Sequence, residues 1–151
     1  MPIPSCLAAA DALSALREFV QAVKLHPVLV NFTAALVPVS VGCDLLARLG
    51  KHEPLRHTAW WTLLFATLIT PFTAITGWLF WDHGDVGVTG MAIHKWLGTS
   101  LAVLLVGLFI WRWRLHRKNA WASLGYLIVG LVVVGALVYQ GYLGGTQVFS
   151  G

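Results

Sequence analysis

The chain has 151 residues, of which 58% are hydrophobic and only 11% charged, with a mean hydropathy of +0.75. Those proportions exclude an ordinary soluble domain and a disordered chain alike. A net charge of +4 would suit a nucleic-acid binder. The basic residues, however, lie in short turns between apolar runs, which the positive-inside bias of membrane proteins explains and a nucleic-acid surface does not.

Residues 5–25 come first. Leu13, Leu16, Val20 and Val23 recur at helical spacing, while Asp11, Ser14, Arg17, Gln21 and Lys24 fill another face. This segment is too polar to span and predicts an amphipathic helix that lies in a membrane interface or caps a bundle. Four apolar stretches follow at 28–46, 59–81, 91–111 and 121–142. Each is long enough to cross about 30 Å of hydrocarbon. Short connections favour antiparallel neighbours. The expected fold is therefore an all-α membrane protein, with the amphipathic segment 1–25 preceding a four-helix up-down transmembrane bundle over 26–151. Pro38 and Pro71 predict local kinks in the first and second spans. No internal repeat stands out. Cys6 and Cys43 fall far apart in this topology, so no disulfide is expected.

The tryptophans agree with these boundaries. Trp60, Trp61, Trp111, Trp113 and Trp121 gather at one predicted interface, and Trp78, Trp81 and Trp96 at the other, as an aromatic belt requires. The first turn between spans holds Arg48, Lys51 and Arg56, and the third holds Arg112, Arg114, Arg117 and Lys118. The opposite side has only Arg17, Lys24 and Lys95. This bias predicts a multi-pass protein with its basic side cytoplasmic and both termini outside, which in a bacterial inner membrane means the periplasm.

The first span carries the densest polar signal. On a helix, His26, Thr33, Ser40 and Asp44 share one narrow stripe. A lipid-facing helix would not keep it, because polar atoms in hydrocarbon need protein partners. His26 and His94 open the first and third spans, which run parallel in an up-down bundle and can face each other diagonally. Two imidazoles at similar depth suit a bis-histidine b-type haem, with the iron held by a neutral ring nitrogen from each side. Gly98 and Gly77 would leave room for the flat macrocycle, and Lys24 and Lys95 lie where its propionates would emerge. The plainer reading makes each histidine an interfacial polar group bonded to backbone or water, with the glycines serving close helix approach.

Asp44 lies about five turns along the first span from His26, and Arg112 about five turns along the third from His94. The two charges should therefore meet at the basic end. Thr62, Thr73 and Thr76 read as packing residues whose hydroxyls bond back to the helix. His52, His57 and His116 fall in basic turns and read as headgroup-facing. Asp82, His83 and Asp85 in the glycine-rich turn 81–90 make a loose metal cluster on weak spacing. No nucleophile–base pair, phosphate loop or closed zinc motif is visible, which argues against hydrolytic or phosphoryl-transfer chemistry.

HP-x-L-V at 26–30, Asp-Leu-Leu at 44–46, Thr-Gly at 76–77, His94, the basic residues after the third span and YLGGTQVFSG at 142–151 appear in that order. In these motifs the chain resembles the bacterial predicted-membrane-protein family called domain of unknown function 2231, over nearly everything from His26 to Gly151. Members of that family carry His-Pro-x-x-Val-His-Phe-Pro in the first span. Here Asn31 stands in place of the second histidine and Thr33 in place of the proline. The leading histidine, Asp44, His94 and the Gly144–Gly145 pair follow the pattern. The resemblance implies Rieske-type or cytochrome c-like partners and an electron-transfer setting.

Two functions are expected on this reading. One is a small b-type cytochrome, or haem-carrying membrane subunit, with His26 and His94 as axial ligands, passing electrons between a periplasmic redox partner and the membrane. The other is a non-catalytic scaffold or accessory subunit of a larger respiratory or redox complex. Membrane lipid is the expected surrounding and nucleic acid is not an expected partner.

Overall fold

The computed structural model describes residues 4–80 and 89–149. Within them the regular structure is all helical: α1 (Pro4–Ala22), α2 (Leu25–Gly50), α3 (Glu53–Phe80), α4 (Thr89–Arg117) and α5 (Leu124–Phe149). The turn with Asp82, His83 and Asp85 lies outside the described residues, as does Trp81. Cys43 is a free thiol.

The helix ends follow from local chemistry. Lys24, in the left-handed region at φ 48°, breaks the chain between α1 and α2, with its N–H donating to the Gln21 carbonyl. Lys51, at φ 55°, ends α2 the same way, and Glu53 and Pro54 then start α3 where an acid and a missing N–H are both favourable. Asn119 at φ 52° closes α4, and the Ala120 N–H reaches back to the Leu115 carbonyl in a Schellman pattern. Ser123 caps α5 by accepting the Tyr126 N–H at 3.2 Å.

Four helices, α2 to α5, are each long and apolar enough to cross a membrane. The expected spans are all present, and at the basic end the first three continue past their apolar stretches into the polar flank. The exception is the start of the fourth, where Trp121 precedes α5 and lies under the side chains of Lys51 and Arg56. In the bundle, α2 packs on α3 and α5, and α4 packs on α3 and α5, so α2 and α4 stand on a diagonal. The interior is an apolar plug built on Val37, Leu63, Leu101, Leu105, Leu108 and Tyr126. The outer faces are apolar too, with Phe72, Val103 and Val132 each more than 60% exposed. An aqueous surface would leave that area unburied, whereas lipid covers it at no cost.

Inside the bundle α3 presents buried Thr67, Thr70, Thr73 and Thr76. Each hydroxyl donates to a carbonyl one turn back, so the row carries its own partners through the apolar interior. Thr62 does the same. Amphipathic α1 packs on α2 and α3, burying Val20, and Gln21 donates to the Phe80 carbonyl at the end of α3. Leu13, Leu16 and Phe19 remain exposed along it, as does Val23 in the turn that follows.

Candidate functional site

His26 sits in the first turn of α2, just after the left-handed Lys24. Its Nδ1 lies 3.0 Å from the Thr73 carbonyl oxygen on α3. A carbonyl only accepts, so Nδ1 carries the proton and Nε2 keeps its lone pair. The acceptor thus comes from the neighbouring helix. One turn beyond Thr73 is Gly77, where a Cβ would stand 2.9 Å from Cε1 of the His26 ring. Glycine is required there because the imidazole lies flat against the backbone.

His94 is held the same way by α5. Its Nδ1 donates to the Gln140 carbonyl at 3.2 Å, and one turn further Gly144 would bring a Cβ to 2.9 Å from the ring's Cε1. Gln140 also donates through its side-chain Nε2 to the His94 carbonyl at 2.8 Å, closing a reciprocal clamp. The sequence conceals this correspondence: α2 with α3, and α4 with α5, repeat one arrangement of histidine, carbonyl and glycine. No repeat is visible in residue identity because only those contact positions need to match.

The two rings face each other across the diagonal with centroids 6.4 Å apart and planes at 87°. They border a cavity of about 490 Å³ lined also by Asn31, Met91, Gly98 and Gln140. Thr33 and Thr70 join hydroxyls at its floor, 3.1 Å apart. The Oε1 of Gln140 is buried and has no hydrogen-bond partner among the described residues.

Other residues singled out from the sequence fall into distinct places. Gly77 supports the His26 ring rather than bordering the cavity, and Gly98 makes room for Gln140, whose Nε2 would be 2.8 Å from a Cβ there. Lys95 is spent on the face of Trp78, its Nζ 5.5 Å from the ring centre. Lys24 is exposed at the α1–α2 turn. Sequence reasoning missed Thr73, Gln140 and Gly144 as supports. Gln140 left a signal, a long polar side chain inside an apolar span, which in a membrane marks a partnered interior position. The Thr73 contact left none, since a carbonyl carries no identity.

At the opposite end of the same diagonal, Arg112 and Asp44 meet as expected. Nε donates to Oδ2 at 2.8 Å and Nη2 to Oδ1 at 2.9 Å, with both side chains at most 1% exposed. Nη2 also donates to the Arg56 carbonyl at 3.2 Å. The Tyr126 hydroxyl approaches Asp44 and Ser40 without closing a hydrogen bond to either. Ser40 instead donates to the Ala59 carbonyl at 2.8 Å. Around this centre, Arg56 is held by Glu53 and Asn119 at 2.6 Å each, and Arg48 by the Ala122 carbonyl at 2.8 Å. The apolar plug lies between the histidine cavity and this charged cluster.

A family model described as a predicted membrane protein (DUF2231) matches residues 22–151. The chain belongs to this family. The match covers α2 to α5 and both diagonal pairs, and starts at the last residue of α1. No curated protein and no solved structure matches the chain. Family membership thus agrees with the membrane character of the four long helices.

Proposed function

We propose that this family member is a haem-carrying membrane subunit for electron transfer, with His26 and His94 as the axial ligands of one b-type haem. The observation that carries the reading is the ring separation. One metal between two opposed imidazoles, with bonds of about 2 Å, sets the ring centres a little over about 6 Å apart, and the two rings stand 6.4 Å apart. The donor set fits as well: each Nδ1–H is anchored on a carbonyl, which leaves the Nε2 lone pair free to bind a metal. Bound haem would supply reversible one-electron transfer. The protein's own part is to hold both imidazoles in one tautomer, exclude water with the apolar interior and offer glycine-lined walls at Gly98, Gly141 and Gly144.

On this reading the protein lies in a bacterial inner membrane with its basic end cytoplasmic and both termini periplasmic. The histidine cavity then faces the periplasmic side, within reach of a Rieske-type or cytochrome c-like partner. Lys24, exposed at the α1–α2 turn, would be the cation available to a propionate. A second reading, an accessory subunit without cofactor, draws support from α1, whose Leu13, Leu16 and Phe19 stay uncovered at the same end.

The absorption spectrum of the purified protein separates the two. A reduced b-type α-band that is lost or converted in His26→Ala and His94→Ala, and kept in His57→Ala, supports the haem reading. A colourless protein that stays colourless after haem is added removes it and leaves the accessory subunit.

A further inference from the structure

We propose that the outer face of α4 at the basic end is a seat for one anionic phospholipid. A cleft of about 450 Å³ lies there, bounded by Gly107, Ile110, Trp111 and Leu115, with Arg114 and Lys118 at its mouth. Gly107 leaves open space, since a Cβ there would meet nothing within 4 Å. It lies two turns, or about 10 Å, deeper than Arg114, so the groove runs along the direction of an acyl chain. Trp111 closes one side by leaning on α5, its ring 3.5 Å from where a Gly125 Cβ would stand.

The charge at the mouth is uncommitted. Of the basic side chains at this end, Arg112 is held by Asp44, Arg56 by Glu53 and Asn119, Arg48 by the Ala122 carbonyl, and Lys51 by the Trp121 ring, while Arg117 does not line the cleft. Both described acids at this end, Asp44 and Glu53, are therefore already engaged. Arg114 and Lys118 have no hydrogen-bond or ion-pair partner among the described residues. They stand one turn apart where the apolar span closes at Arg117, which is the level of lipid headgroups. Two free cations above an apolar groove complement a phosphodiester carrying an acyl tail. Basic pockets against membrane helices bind anionic headgroups by the same chemistry. This seat is independent of the histidine cavity and of any haem.

Native mass spectrometry of the detergent-purified full chain tests it, with phosphatidylglycerol and phosphatidylcholine offered in equal amounts. Phosphatidylglycerol should be retained at least about tenfold better, consistent with about 1 kcal/mol for each basic residue at a membrane surface. Arg114→Gln with Lys118→Gln should abolish that preference, while the charge-matched pair Lys51→Gln with Arg117→Gln keeps it. Gly107→Leu, which fills the groove and leaves every charge in place, should lower retention of phosphatidylglycerol. Equal retention of the two lipids overturns the seat, and so does an equal loss in both charge pairs, which would mean bulk charge alone. Displacement of the lipid by inorganic phosphate would show a headgroup anion site without a tail and would equally overturn it. Thermal melts of each variant establish that the fold persists.

Discussion

Arg112 reaches Asp44 through two parallel hydrogen bonds of 2.8 and 2.9 Å across the diagonal of the bundle, although the α2 and α4 backbones do not touch. Side chains alone span that diagonal: the histidine pair at one end, this ion pair at the other, and between them the core cluster that holds Val37, Leu101 and Leu105. The ion pair is the directional contact that fixes the register of two helices whose backbones stay apart. Removing one partner leaves a bare charge in a dry interior, which costs about 3–5 kcal/mol. Asp44→Ala and Arg112→Ala should each destabilise by that order in reversible unfolding of the detergent-solubilised protein. The joint Asp44→Leu, Arg112→Met replacement should recover most of the loss. Single variants within about 0.5 kcal/mol of the parent, the range of an ordinary surface substitution, would remove the register argument.

The glycines against the rings should behave unlike the open ones. Gly77→Ala and Gly144→Ala each put a methyl 2.9 Å from an imidazole carbon, whereas Gly107 and Gly135 have nothing within 4 Å. Overpacking of this kind costs about 1–3 kcal/mol, and here it also pushes a ring off its carbonyl. Stability and the histidine signals should change in the first two variants. Gly135→Ala, the matched control, should leave both unchanged. Identical behaviour across the set would contradict the flat ring contact.

Nitrogen NMR of histidine-labelled protein reads the tautomers directly. In haem-free protein, His26 and His94 should both carry the proton on Nδ1, because each Nδ1 faces a backbone carbonyl at 3.0 and 3.2 Å. A ring with its proton on Nε2 at either position would show that the anchor is not made.

Gln140 should act on one histidine and not the other. Its amide holds the His94 carbonyl at 2.8 Å, a bond worth about 1 kcal/mol net. Gln140→Leu should broaden the His94 signal and leave His26 sharp. Gly98→Ala should do the same, since its methyl would displace the amide. Equal effects on both rings would point to general loosening of the bundle.

Orientation is checked with reporter fusions after His52 and after Asp85. The proposed topology expects an exported reporter to be silent at the first site and active at the second. The opposite pattern would invert the protein in the membrane and place the histidine cavity on the cytoplasmic side.

The sequence by itself determined the four spans, their up-down order and both diagonal pairs. Hydrophobic length and helical phase are local properties, and a shared offset of about five turns puts His26 with Asp44 and His94 with Arg112 on single faces. The diagonal itself follows from chain order once the loops are short. Only the tertiary structure decided what holds the imidazoles: the carbonyls of Thr73 and Gln140, and the backbone surfaces opened by Gly77 and Gly144. A carbonyl is the same at every residue and a glycine shows only that something comes close, so neither identifies its partner before the helices are packed. For the same reason the matched halves of the bundle stay hidden in the sequence. Their likeness lies in where backbone and ring meet, and the lipid-facing positions between those contacts carry no constraint beyond being apolar.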